Sequence, residues 1–456
     1  MDQIPAPRQY FAYVTAAGEG SAGIPEEGGV KRKLIAAVSV AGMMVGVAAC
    51  GNGSDDKAKT DAGGAKEITV WVMDGSAPKA WIDEVNKEFS AKHPGVTVKV
   101  EEQKWTGIQE KVTTALSENN PPDVLELGNT QTAGYAVTGG LADLTKDKAA
   151  LGADAWQKSM LASAEIDGKL YSAPWYAANR VVVYDKKAYE KAGVTPPKTR
   201  DEWIAGLEKL KAADPASQPI YLPGQSWYVL AGFVWDEGGE LAVKDGAKWK
   251  GGLATPQAAS AMDFYKKLQA FSTAPKDKDE ATPQQSTDIV PKGGVASWIG
   301  LGWEAGGAEK ALKEAGKEAD FGYFPIPGKT ADKTGTVFLG GSNLAIAERS
   351  KNKELAKEWL ALAAGKDQMT KYAAETKGAL LPNQVGANFT PAAGSFAEAM
   401  GKAGLNGKIT PVTAGWANVE TEPNPIKEFM TKVLNGEDAA KAGADADKEI
   451  ANRINK

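Results

Sequence analysis

From residue 67 onward the chain alternates β-branched runs with amphipathic stretches. Ile68-Thr69-Val70-Trp71-Val72 has the compact apolar pattern of a buried strand. Trp81, Val85 and Phe89 then recur at i, i+4, i+8 with Ile82 beside them, a helical stripe that Pro94-Gly95 ends. Val96, Val98 and Val100 alternate as a second strand. Ile108, Val112 and Leu116 mark a second helix, stopped by Pro121-Pro122 before the strand Asp123-Val124-Leu125-Glu126-Leu127. Strands and helices alternating at this spacing predict a parallel sheet with crossover helices, and ligands of such sheets sit beyond the carboxyl ends of the strands. The segments so placed are Met73-Asp74-Gly75 and Gly128-Asn129-Thr130-Gln131. Later in the chain, Val181-Val182-Val183-Tyr184 predicts a strand and Trp203, Leu207 and Leu210 a helix. Gly293-Gly294-Val295-Ala296 leads into another apolar run, and Leu355, Trp359 and Leu362 mark an amphipathic helix. No tandem repeat is visible.

The first sixty-odd residues follow different rules. Lys31-Arg32-Lys33 precedes an uncharged apolar stretch, residues 34–49, that ends at Ala48-Ala49-Cys50. A basic start, a short apolar middle and small residues before the cut describe a secretory signal, and the stretch is shorter than the ~20 residues that span a bilayer. Cys50 after two small residues resembles the lipobox of bacterial lipoproteins, which implies a diacylated Cys50 as the mature N-terminus. The polar, Gly/Pro-rich residues 1–29 have no period; the expectation is a non-native extension, with translation starting at Val30. Residues 51–66 lack bulky apolar side chains and read as a tether of roughly 20–25 Å reach.

Composition narrows the function. With 43% hydrophobic and 24% charged residues the 456-residue chain reads as globular, large enough for two or three domains. A net charge of −5 argues against a general nucleic-acid binder. One Cys and one His leave no disulfide framework and little for a metal site, so neither metal nor cofactor is expected. Pro327-Gly328-Lys329-Thr330 mimics part of a phosphate-binding loop, but Tyr323 stands where that loop needs glycine. His93, beside Pro94 at a helix end, reads as a capping or surface residue.

The 13 tryptophans call for an explanation. Trp71, Trp81, Trp203 and Trp359 fit strand or helix periods and belong to packing. Trp105, Trp175-Tyr176, Trp227-Tyr228, Trp298, Trp303 and Trp416 stand in polar or turn-forming contexts, although any one of them is more often core than site. An indole under the apolar face of a pyranose, with charged or amide groups at its hydroxyl rim, complements both surfaces of a sugar.

Several segments together resemble the extracellular solute-binding proteins of ABC importers, in the sugar-binding cluster that includes maltose-binding protein. They are Pro122-Asp123-Val124-Leu125-Glu126 leading to Gly140-Leu141, and Gly168-Lys169-Leu170-Tyr171-Ser172-Ala173-Pro174-Trp175-Tyr176. The others are Trp235-Asp236-Glu237-Gly238-Gly239, Gly302-Trp303, Gly340-Gly341-Ser342-Asn343-Leu344-Ala345-Ile346 and Leu381-Pro382-Asn383. In look they are most similar to actinobacterial lipoproteins for chitin-derived sugars. The resemblance implies an α/β, two-lobed periplasmic-binding-protein-like fold with a cleft at the hinge. Lobe one would take 67–176 and 343–379, and lobe two 177–342 and 380–456. Crossings would fall near Trp175-Tyr176, Gly340–Ser342 and Leu380–Asn383. It further implies a monomeric, lipid-anchored receptor on the outer face of the cell membrane that hands a saccharide to a permease and performs no chemistry.

By the same resemblance Asn129 and Gln131 supply polar contacts from lobe one, Trp303 and Trp416 stack on the sugar, and Trp227-Tyr228 stands at an aromatic position. There Gln225 replaces the family's acidic residue. Asp74, Arg180 and Glu304 are candidates for the hydroxyl or acetamido rim. Trp105, Trp175 and Ser342 complete the candidate set. The alternative is a secreted glycoside hydrolase, which needs two carboxylates about 5–10 Å apart; Glu126, Asp236, Glu237 and Glu304 are available for that role.

Overall fold

The computed structural model describes residues 66–105, 107–385 and 389–456. The extension, the signal with Cys50, and all of the tether except Lys66 lie outside the described residues.

The first lobe is built on a six-stranded sheet. Lys66–Met73 forms a parallel pair with Val96–Gln103 on one side and with Val124–Gly128 on the other. These three strands and the helices Lys79–Lys92 and Ile108–Ser117 are the ones the periodicity predicts, with Trp81, Ile82, Val85 and Phe89 buried on the first helix. Val96–Gln103 lies at the sheet edge and alternates in exposure, whereas the first four residues of Val124–Gly128 are buried on both faces. Beyond Val124–Gly128 the sheet departs from the parallel expectation. Gly340–Ile346 and then Ser172–Ala178 and Leu381–Pro382 continue it in antiparallel fashion. Parallel neighbours need a crossover connection, usually a helix. Gly340–Ile346 instead comes back from the other half of the molecule, which frees its direction.

The second lobe has a three-stranded antiparallel sheet, Ser297–Gly300, Val181–Asp185 and Phe321–Phe324, with Val181–Asp185 in the middle. Helices surround it, among them Arg200–Ala213, Trp227–Asp236, Pro256–Gln269, Pro425–Leu434 and Ala439–Ile454. Their starts are legible chemistry. Thr199 and Glu202 form a reciprocal capping box, and Asn424 caps the helix that opens with Pro425. Trp203, Trp235, Phe264, Trp298, Phe321 and Phe429 belong to one continuous core in this lobe, while Trp81, Trp175, Trp359 and Tyr372 belong to another in the first.

A buried charge cluster ties lobe two together. The Arg200 guanidinium lies 5.0 and 4.7 Å from the ring centroids of Phe233 and Phe264, and bonds Asp236 at 2.9 Å and Glu237 at 2.7 Å. Asp236 also accepts from the backbone and hydroxyl of Thr336. Where Gly340–Ile346 crosses between lobes, a Cβ on Gly341 would sit 2.0 Å from the Tyr176 carbonyl oxygen, so only glycine admits this strand pairing.

Candidate functional site

The second-lobe candidates gather near the chain crossing at Ala178–Val181. Arg180 lies with its guanidinium 5.0 Å from the Tyr228 ring centroid and forms an ion pair with Glu280. Tyr228 is sandwiched, 3.9 Å from the Trp227 ring and 4.4 Å from Phe338, near parallel to both. Burial alone would pull the pKa of Arg180 down; the carboxylates of Glu280 and Glu304 outweigh it and hold the guanidinium charged. Glu304 is buried, and burial pushes its carboxyl up to about 7 against the opposing pull of Arg180. It accepts from the Leu301 amide at 2.9 Å and from the side chains of Gln285 at 3.0 Å and Gln284 at 3.2 Å. Trp303, next to it in the first turn of the helix Gly302–Glu314, remains partly exposed. With the partly exposed Trp303 next to Glu304 in the chain, Arg180, Tyr228 and Glu304 thus stand in one cluster. Glu280, which the sequence reading missed, completes its charge.

The first-lobe candidates occupy the carboxyl ends of the parallel strands. Asp74 directly follows Lys66–Met73 and is half-buried. The Trp105 ring closes over Gly128, 3.6 Å from where a Cβ would stand, with Gln131 beside it. Asn129 is committed to the hinge: its amide donates to the Leu339 carbonyl at 2.8 Å, and its backbone N–H to Gly341. Thr130 reaches across to lobe two, where its hydroxyl donates to Glu420 at 3.0 Å.

Four expectations require correction. Trp175 has no exposed surface and packs among Trp81, Tyr176 and Tyr372 in the core of lobe one, with ring centroids 5.1–5.5 Å apart. Trp416 is equally sealed in lobe two, its indole N–H donating to Glu420 at 2.8 Å. Trp227 is 5% exposed and backs Tyr228 instead of opening to solvent. The turn-like contexts misled because Trp227 and Trp416 are each the first residue of a helix, whose packing turns the indole into the core of lobe two. Ser342 is buried too, donating to the Tyr176 hydroxyl at 3.1 Å. Gln225 donates to Thr431 and is occupied structurally. His93 caps the helix Lys79–Lys92 at its C-terminus and meets Glu358 at 2.9 Å.

Beneath the first-lobe loops lies a fully buried carboxylate, Glu126. It accepts from the Met73 amide at 2.6 Å, the Tyr176 hydroxyl at 2.9 Å and the Ser76 hydroxyl. Burial raises its pKa, and these hydrogen bonds oppose the rise. Of the four carboxylates available to a hydrolase, Glu126 is enclosed in lobe one and Asp236 and Glu237 are engaged with Arg200, which leaves Glu304 alone in the candidate site. No group of three or more His, Cys, Asp or Glu side chains among the described residues could hold a metal ion.

Two lobes joined by several strand crossings, with aromatic and charged side chains where they meet, define a cleft-type binding protein. Residues 74–370 match the family of bacterial extracellular solute-binding proteins. The chain is also 51% identical over 431 residues to the diacetylchitobiose binding protein DasA of Streptomyces coelicolor, covering 94% of this chain and 99% of that one. Among solved structures it resembles the sugar-binding protein MalE of Xanthomonas citri, with a TM-score of 0.72 at 20% identity over 85% of this chain and 97% of that one. The GacH receptor of Streptomyces glaucescens gives 0.68 at 23% identity over 85% and 99%. The protein belongs to the bacterial extracellular solute-binding protein family, the binding components of ABC importers, and is not an enzyme.

Proposed function

We propose that the protein captures a chitin-derived disaccharide, of the diacetylchitobiose type, in the cleft between its lobes and delivers it to an ABC permease. The observation that carries this reading is the 51% identity, sustained over nearly the full length of both chains, to a diacetylchitobiose binding protein. The site supports it chemically. Trp303 and Trp105 offer apolar faces, and Arg180, Asp74 and Gln131 offer charged or amide groups for a hydroxyl and acetamido rim, with Tyr228 and buried Glu304 holding Arg180 in place from behind. Hydrogen bonds to charged groups contribute about 1.5–3 kcal/mol each, more than neutral ones. Asn129 and Ser342 hold the hinge strands in register, and Trp227, Trp175 and Trp416 support the site from within the cores. Contacts made with both lobes favour the closed form, and only that differential affinity drives closure. The receptor acts as a monomer, tethered to the outer face of the membrane by acylated Cys50.

Calorimetry with diacetylchitobiose, maltose and cellobiose tests this. Tight binding of the acetylated disaccharide, with the sugar recovered intact, is expected. Release of monosaccharide, or equal affinity for all three, would overturn it.

A further inference from the structure

Beside the hinge strand Gly340–Ile346, to which Asn129 is bonded, the two lobes also meet where the loop after Val124–Gly128 faces the short helix Trp416–Glu420. Val412 packs on the apolar cluster of lobe one, and a Cβ on Gly134 would lie 3.5 Å from the Ala414 carbonyl. At the end of that helix the Glu420 carboxylate is shared between lobes. One oxygen accepts from Trp416 of its own helix at 2.8 Å, the other from Thr130 of lobe one at 3.0 Å. Trp416 is immobilised by the core, and Gly415 presses against the backbone of Ile454, where any Cβ would clash at 2.1 Å. Glu420 is therefore held in place from one side and offers its second oxygen outward.

We propose that Thr130 and Glu420 form a closure latch, a hydrogen bond across the cleft that exists only when the lobes are shut and so sets how long a ligand stays bound. This rests on the reading of a cleft that closes around its ligand. Parting the lobes separates the two partners, because each is fixed to its own lobe, and water then takes the place of the Thr130 hydroxyl. The latch contributes to the closed form alone, so it slows ligand release and leaves capture by the open form unchanged.

The latch also couples closure to protons. The half-buried Glu420 carboxyl sits where the lobes meet, and burial there pushes it up to about 7, with the Trp416 and Thr130 hydrogen bonds opposing. The charged groups on the adjoining segments are engaged elsewhere. Arg453 pairs with Glu449 and donates to the carbonyls of Asn418 and Thr421, and Lys427 pairs with Glu422 and Asp279. Tyr135, on the facing helix of lobe one, is neutral, its phenol raised to about 12 by burial. A carboxyl that titrates higher in the closed form favours closure at low pH, and the advantage fades as pH rises toward 7.

The test uses the full mature chain with one dye on each lobe. Single-molecule distance measurements on the ligand-free protein read the closed fraction, and stopped-flow with diacetylchitobiose reads association and release. Thr130→Val should lower the ligand-free closed fraction and speed release about ten-fold with association unchanged, the effect of one lost hydrogen bond to a buried charge. Glu420→Gln keeps an oxygen for Trp416 and an amide for Thr130. It should hold release within about three-fold of the parent and flatten the dependence of closed fraction on pH between 5 and 8. Parent-like closed fractions in Thr130→Val, or an unchanged pH dependence in Glu420→Gln, would overturn the latch. Failure of the parent to bind the disaccharide would overturn the ligand assignment alone, since the ligand-free distances still decide the latch.

Discussion

Replacing Glu304 by Gln removes one buried charge and preserves its shape, and the consequence can be worked from the surroundings of the carboxylate. Folding carries this group from water, where it titrates near 4.5, to a buried site where it titrates near 7. The folded state therefore binds more protons than the unfolded state between those values. A carboxyl with a raised folded-state pKa stabilises the fold, relative to its charged form, below about 4.5, and that contribution is lost as pH climbs to about 7. Over that window the native protein should lose about 3 kcal/mol through Glu304. Glutamine cannot titrate, so the variant lacks this loss. Its amide also sets an NH2 against either the Leu301 amide or the Gln285 side chain, a penalty of about 1–3 kcal/mol that does not depend on pH. Urea unfolding of both ligand-free proteins at pH 4.5 and 7.5 separates the two effects. The stability difference should move in favour of the variant by about 3 kcal/mol between the two pH values. An identical difference at both would refute the assignment of a buried, ionised Glu304 next to Arg180. If Glu304 also meets the ligand, the variant binds more weakly at pH 7.5 even as its relative stability improves, the exchange expected where a site holds a charge for function.

Other substitutions distinguish site from scaffold. Trp303→Ala should weaken disaccharide binding by about 1–3 kcal/mol with little change in melting temperature. Trp416→Ala should cost about 3–5 kcal/mol of stability in denaturant titration, as expected for a wholly buried indole. Arg200→Met should destabilise lobe two by about 3–5 kcal/mol, because Asp236 and Glu237 lose their buried cation; a melt unchanged at neutral pH would contradict the ion cluster.

The parallel half of the first sheet was readable because its strands and helices lie in sequence order, each announcing its period and its stop. The stripe Trp81, Val85, Phe89 and the strand Val181–Asp185 are where periodicity puts them. The antiparallel insertion of Gly340–Ile346 was not readable, since pairing partners more than 150 residues apart leave no local trace. Among the site candidates, ionisable Arg180 and Glu304 were each legible as rim groups for a sugar, but their partner Glu280 lies in a polar loop without any pattern. Aromatics were the weakest guide. A Trp after glycine or serine marks an exposed turn as readily as the first residue of a helix, and Trp227 and Trp416 prove to be the latter. Glu420 carried no signal at all, because its meaning depends on Thr130, which stands 290 positions away.

The strand Gly340–Ile346 has a bearing on biogenesis. It fills the slot between Val124–Gly128 and Ser172–Ala178, pairing Ala345 with Leu125 on one side and Ser172 on the other. A nascent chain that has emerged only as far as residue 339 leaves two strands facing each other across an empty track, so the sheet cannot lock until that late segment arrives. Contacts between such distant segments form slowly. The first lobe therefore depends for its completion on a segment more than 150 residues from either neighbouring strand.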